Sequence, residues 1–112
     1  MLYINKSAVA NCPGIQEINL PEGVVSIGGY AFENCSGVTQ ISIPSSLNKI
    51  GLDAFHGCAV SLENISVNPN NTAYDSRNNC NALIETSTNK LLLGSKNTII
   101  PDSITSIGSY AF

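Results

Sequence analysis

Apolar and turn-forming residues recur along this chain at a fixed distance. Ile18/Ile41, Leu20/Ile43, Pro21/Pro44, Ile27/Ile50, Gly28/Gly51, Ala31/Ala54, Phe32/Phe55 and Cys35/Cys58 all differ by 23 positions. The register extends backwards, where Ile4, Ala8 and Cys12 precede Ile27, Ala31 and Cys35 by 23, with Val9 in place of Phe. It resumes at the far end, where Ile100-Pro101, Ile104, Ile107-Gly108 and Ala111-Phe112 restate Ile43-Pro44, Leu47, Ile50-Gly51 and Ala54-Phe55. Self-similarity at this period is the signature of a repeat architecture, in which each unit is one turn of a solenoid.

Within one repeat, Ile18-Asn-Leu20-Pro21 and Ile41-Ser-Ile43-Pro44 alternate apolar and polar residues, the period of a half-buried strand. Ile18 and Leu20 are expected to face inward, Glu17 and Asn19 outward. Proline lacks the N–H that would continue a ladder, so Pro21, Pro44 and Pro101 end each strand at one level. Val24-x-x-Ile27-Gly28 and Leu47-x-x-Ile50-Gly51 form a second extended piece, whose glycine suits a positive-φ corner. From there Gly51, Ala54, Phe55 and Cys58 fall at i, i+3, i+4 and i+7, which predicts one face of a short helix. Gly37 and Gly57 suit the return to the next strand.

A single coil has almost no core, so stability must come from stacking coils about 4.8 Å apart. The expected columns are Ile18/Ile41/Ile65, Leu20/Ile43/Val67/Ile100, Phe32/Phe55 and Cys12/Cys35/Cys58.

The pattern breaks after Val67. Pro44 to Pro101 is 57 residues, one period of 23 plus 34. The extra segment opens with an Asn/Pro/Asp-rich loop and continues as two short apolar runs, 82–86 and 90–94, around Ser87-Thr88-Asn89, which reads as a β-hairpin. Tyr74 and Cys80 are expected to pack where Phe and Cys would otherwise sit. The organisation is one solenoid over 1–112: a partial coil 1–14, full repeats 15–37 and 38–61, a modified repeat 62–94 and an incomplete repeat 95–112. Opening and closing inside a repeat is expected of a segment of a longer solenoid.

Composition narrows the function. Charged residues make up 12% and hydrophobic ones 43%, a core-forming balance. The net charge is −3 and the five basic residues are scattered, which argues against nucleic-acid binding. The longest apolar run is Leu91-Leu92-Leu93, far short of the roughly 20 residues of a membrane helix, so no membrane insertion is expected.

The pattern I-x-I-P-x-x-(V/L)-x-x-I-G-x-x-A-F-x-x-C resembles the BspA-like leucine-rich repeats, and the segment from Asn68 through Thr86, followed by the hairpin and Ile-Pro, is similar to a modified repeat of that family. The resemblance covers essentially the whole chain. It implies an α/β repeat solenoid, a right-handed leucine-rich-repeat superhelix of short parallel strands and short helices with a hairpin insertion. It further implies a surface-exposed or secreted protein, extracellular or at the cell surface of bacteria or some protists, that binds other proteins or host matrix in adhesion. Val9, in place of Phe, departs from the pattern, and flanking caps are absent from the sequence.

Several residues invite chemistry. An even number of cysteines in an extracellular setting suggests disulfides, but Cys12, Cys35 and Cys58 occupy equivalent positions on the buried face and are read as buried thiols, with a disulfide or a metal as the alternatives. His56 is read as solvated and non-catalytic, because no repeat position places an acid or nucleophile beside it. The loop from Asp75 to Asn79 has a faint calcium-loop look, but Arg77 sits where a ligand should be and no closing acidic residue follows. Asn5, Asn34, Asn64 and Asn70 lie in glycosylation sequons that an Asn-rich chain produces by chance. No metal, cofactor or enzymatic activity is expected.

The outward strand residues carry the functional expectation: Glu17, Asn19, Gln40, Ser42, Asn64, Ser66, Asn97 and Ile99. A shallow polar sheet face suits broad protein contact and not a small-molecule pocket. The expected partners are proteins, host matrix or cell-surface proteins among them, with end-to-end self-association through uncapped coils as a further possibility. The alternative is a structural spacer or stalk presenting other domains.

Overall fold

The computed structural model describes residues 2–112. The strands run β1 Leu2–Ile4, β2 Glu17–Asn19, β3 Val24–Ile27, β4 Gln40–Ile43, β5 Lys49–Ile50, β6 Asn64–Val67, β7 Tyr74–Asp75, β8 Leu83–Glu85, β9 Lys90–Leu93 and β10 Ser106–Ile107, with a 3-10 turn at Arg77–Asn79. Two parallel sheets, ordered β2-β4-β6 and β1-β3-β5, run along two sides of the stacked coils. Ile18, Ile41 and Ile65 lie in direct register and are all buried, as the alternation requires. Ile43 pairs with Val67, and Leu20 N–H donates to Ser42 O at 3.2 Å.

Ile100 does not join that column. No strand precedes Pro101; instead Lys96 N–H donates to Leu62 O at 2.9 Å and Ile99 N–H to Cys80 O at 3.1 Å, which leaves Ile100 48% exposed. The long modified coil has shifted the last repeat away from the first sheet.

The third side of the coil is not helical. No α-helix occurs among the described residues. Over Gly28–Cys35 alternate N–H groups turn back within the coil, Ala31 to Gly28 O at 3.2 Å, Glu33 to Tyr30 O at 3.1 Å and Cys35 to Phe32 O at 3.3 Å. The others reach the next coil, Tyr30 to Leu52 O at 3.0 Å, Phe32 to Ala54 O at 2.8 Å and Asn34 to His56 O at 2.6 Å. The i, i+3, i+4, i+7 spacing correctly placed Ala, Phe and Cys inside but not the backbone. Helices pack about 8–10 Å apart, twice the spacing the strands impose on successive coils, so a chain of turns bonded from coil to coil fits where a helix does not.

Alternating the N–H directions needs left-handed residues, found at Ser7 and Asn11, Tyr30 and Asn34, and Asp53 and Gly57. Gly28 and Gly51 are not among them. Their small size has another cause: a Cβ on Gly51 would run into the backbone of Gly28 and Gly29, and one on Gly28 into Asn5 and Lys6. Gly37 likewise lies against Pro13 O, without positive φ.

Inside, the rings of Phe32 and Phe55 stack with centroids 5.6 Å apart and planes 3° apart. Cys35 and Cys58 lie beside them, each thiol directed at a carbonyl of the preceding coil, Val9 O at 3.2 Å and Phe32 O at 3.1 Å. Where the regular pattern stops, buried Asn71 takes over: its Nδ2 donates to Pro44 O at 2.8 Å and Leu47 O at 2.9 Å, while its Oδ1 accepts from the N–H groups of Ala73 and Tyr74, both at 2.8 Å.

The hairpin forms as expected, β8 antiparallel to β9, and β7 adds to its outer edge. β9 then does the work of a regular strand, because β10 runs parallel to it with Leu91 opposite Ile107, just as Ile27 is opposite Ile50. Gly94 N–H donates to Ala111 O at 2.7 Å, the counterpart of Phe32 to Ala54. Gly94 therefore stands in the Phe column, and the Phe112 ring lies against it with no room for a Cβ. Tyr74 packs in the Phe32/Phe55 core, in keeping with expectation, but Cys80 belongs to a separate small core with Ala82, Ile84, Leu91 and Ala111.

Candidate protein-binding face

On the β2-β4-β6 sheet, Glu17, Gln40 and Asn64 align in one column and Asn19, Ser42 and Ser66 in the next. Five of these six are exposed and Ser42 is half-buried. Asn19 Nδ2 donates to Glu17 Oε2 at 3.1 Å, so the first coil presents a pre-ordered pair. At the proline end the face opens into a shallow depression lined by Glu22, Ser42, Pro44, Ser66 and Asn68. There Glu22 bridges to the next coil, accepting from Ser45 N–H at 2.9 Å and Ser45 Oγ at 2.8 Å, and these bonds hold its carboxyl below the usual range.

The remaining two sequence-derived residues lie elsewhere. Asn97 borders the face, its Nδ2 donating to Glu63 O at 3.1 Å, but belongs to no strand. Ile99, 77% exposed, sits by the 3-10 turn through its bond to Cys80 O. Both were placed by assuming a strand before Pro101.

The four cysteines are free thiols, with Cys35, Cys58 and Cys80 buried and Cys12 half-buried. Burial pushes the Cys58 thiol up to about 12 and raises Cys35 as well, the opposite of a reactive thiolate. His56 is not simply solvated: Nδ1 lies 3.4 Å from Glu33 Oε2, and its ring stacks on Tyr110 with centroids 3.8 Å apart. In the loop after β7, Arg77 Nη2 and Asp75 Oδ2 pair at 2.7 Å, and Arg77 Nη1 reaches Asn89 Oδ1 at 2.8 Å, so the guanidinium ties the loop to the hairpin turn where a calcium ion would need oxygen ligands. Of the sequon asparagines, Asn34 donates from Nδ2 to Asn11 Oδ1 at 3.1 Å, a side-chain bond between coils.

Sequence reasoning missed a cleft of about 240 Å³ between the turn segment of the second full repeat and the shortened modified coil. Leu91 to Gly94 is two residues shorter than the equivalent Ile27 to Phe32, and that deficit was readable only once β9 was recognised as a repeat strand.

Stacked parallel ladders with a repeated buried column define a solenoid of leucine-rich-repeat type. The pattern of the BspA type leucine-rich repeat region matches residues 2–112 in six copies, and the chain belongs to that family. A search of curated proteins gives no significant match. Among solved structures, the chain is similar to a leucine-rich repeat protein from Eubacterium ventriosum, at 26% identity and a TM-score of 0.70 over 87% of this chain and 26% of that one. It shares its fold with the pneumococcal vaccine antigen PcpA, at 20% identity and a TM-score of 0.67 over 98% of this chain and 34% of that one. The same holds for a leucine-rich cell surface protein from Faecalibacterium prausnitzii, at 23% identity and a TM-score of 0.54 over 96% of this chain and 41% of that one. The chain thus spans well under half the length of each.

Proposed function

We propose that this chain is a non-enzymatic protein-binding scaffold that works through the exposed face of the β2-β4-β6 sheet, outside the cell or on its surface, in adhesion to host matrix or cell-surface proteins. The observation that carries the reading is the pair of aligned polar columns, Glu17/Gln40/Asn64 and Asn19/Ser42/Ser66. Their backbone is committed to the ladder, so side chains alone are on offer, spread over a flat surface that suits protein contact. Membership of a leucine-rich-repeat family and the fold shared with a leucine-rich cell surface protein support the location. The proposal includes the domain division given above, a right-handed superhelix, and end-to-end association of coils.

A spacer or stalk is the second reading, and one feature favours it: the two columns hold no Trp, Tyr or Arg, the residues that anchor most interfaces. Binding of this segment and of the longer protein to a panel of matrix and cell-surface proteins, alongside a Gln40→Arg/Asn64→Arg variant, separates the two. Saturable binding lost in a folded variant supports the scaffold. Binding unaffected by the variant removes this face, and no binding by either form leaves the spacer.

A further inference from the structure

Two of the five basic residues of this chain meet in one place. On the β1-β3-β5 sheet, Tyr3, Ser26 and Lys49 stand in one column, and an open groove of about 500 Å³ runs from them to the corner at Gly28 and Gly29. Lys6 borders the groove from the first coil, one period before Gly29, and the next residue, Ser7, donates its N–H to Gly29 O at 3.0 Å. Lys49 borders it from the third coil. With strands about 4.8 Å apart, the two lysines flank the middle coil across about 10 Å. Gly28 and Gly29 put no side chain between them.

Every charged side chain in the lining is a cation, since no Asp or Glu contributes to it. Both lysines are exposed, and neither has a carboxylate within 4.0 Å among the described residues. The middle coil adds neutral donors: Gly29 N–H and Ser26 Oγ make no hydrogen bond among the described residues. Two cations, a hydroxyl and a main-chain N–H are thus gathered in one groove with no anion of the chain to answer them.

We propose that this groove docks an acidic segment of a partner protein, which presents one carboxylate to Lys6 and another to Lys49 across the middle coil. The occupant follows from charge complementarity. Carboxylates accept charge-assisted hydrogen bonds from ammonium groups and from hydroxyl and main-chain donors alike. Two of them, one residue apart on an extended chain, share a face about 7 Å apart, and the flexible lysine stems close the remaining distance. Two ion pairs use up the positive charge of the lining. A densely sulfated glycan brings charges that no further cation here meets, against a chain of net charge −3. Exposed pairs of this kind orient and select a partner more than they tighten it, and they weaken with salt. The groove lies on the other sheet from the polar columns and does not depend on those columns binding anything.

The test is titration of the ¹⁵N-labelled protein, in low salt, with acetyl-Glu-Ser-Glu-Ser-Glu-amide, followed by amide chemical shifts. The expected result is saturable shifts centred on Lys6, Ser26, Gly29 and Lys49, which are lost in high salt and absent with the peptide whose Glu residues are replaced by Gln. Lys6→Gln and Lys49→Gln should each weaken binding about threefold and together about tenfold, the scale of exposed charge pairs. Both residues are exposed, so the double variant should keep the dispersed spectrum of the parent. Lys90→Gln/Lys96→Gln, which changes two lysines outside the groove, should leave the affinity as it is. No saturable shifts at Gly29, equal shifts with the Gln peptide, or equal weakening by the two double variants would overturn the proposal. Shifts at these amides from a heparin tetrasaccharide, where the acidic peptide gives none, would also overturn it and make the groove a glycan surface.

Discussion

The ring of Tyr110 lies on the imidazole of His56, centroids 3.8 Å apart and planes 30° apart, although two repeats separate them in the ladder. The shortened modified coil makes this reach possible, and Glu33 on the other side of His56 completes a three-residue column across coils. Aromatic pairs of this kind contribute about 1 kcal/mol beyond area burial. Tyr110→Ala is expected to lower the thermal midpoint by about 4 °C, and a double-mutant cycle with His56→Ala should show coupling. Additive losses would mean that the two rings are neighbours without mutual stabilisation.

Asn71 is the joint between regular and irregular coils. Its amide is buried and satisfies two carbonyls of the preceding coil and two N–H groups of its own. Truncation leaves buried donors and acceptors unpaired, each costing about 1–3 kcal/mol. Asn71→Ala should therefore destabilise by several times the effect of a surface change, read as a lower urea midpoint. A midpoint within error of the parent would show that water replaces the side chain.

Phe55 carries the largest predicted packing loss. It stacks on Phe32 below and borders the cleft above, so its removal joins a new cavity to an existing one. Phe-to-Ala changes in cores cost about 3–5 kcal/mol, a large share of the roughly 5–15 kcal/mol that holds a domain together. Phe55→Ala is expected to lose cooperative unfolding at room temperature, and an unshifted thermal transition would contradict the stacked-coil account.

The residues that repeat were legible, and those that do not were only partly so. Ile18, Ile41 and Ile65 and the polar columns followed from periodicity, because a strand's side chains alternate whatever its neighbours do, and the hairpin followed from two apolar runs around a polar turn. The helix did not follow, because the spacing of Ala54, Phe55 and Cys58 fixes which side chains point inward without fixing where the N–H groups go. Gly51 was misread for a related reason: its neighbour is the backbone of Gly28 and Gly29, one coil away. The misplacement of Asn97 and Ile99 in the candidate site came from carrying the period across an insertion that shifts the last coil.

Stability should fall in alkaline solution. Burial pushes the Cys58 thiol up to about 12, and it raises Cys35 and Tyr74 in the same direction. An unfolded cysteine ionises near pH 8.5. Between these values the unfolded chain has released the proton while the folded chain keeps it, so the folded state binds more protons and each rise in pH favours unfolding. The contribution of Cys58 is fully present below about pH 8.5 and is lost progressively as pH rises toward about 12. The thermal midpoint should be flat with respect to these groups near neutrality and decline above about pH 9, with Cys58→Ala showing a lower midpoint but a shallower decline. Parallel declines in parent and variant would place the alkaline sensitivity in other groups.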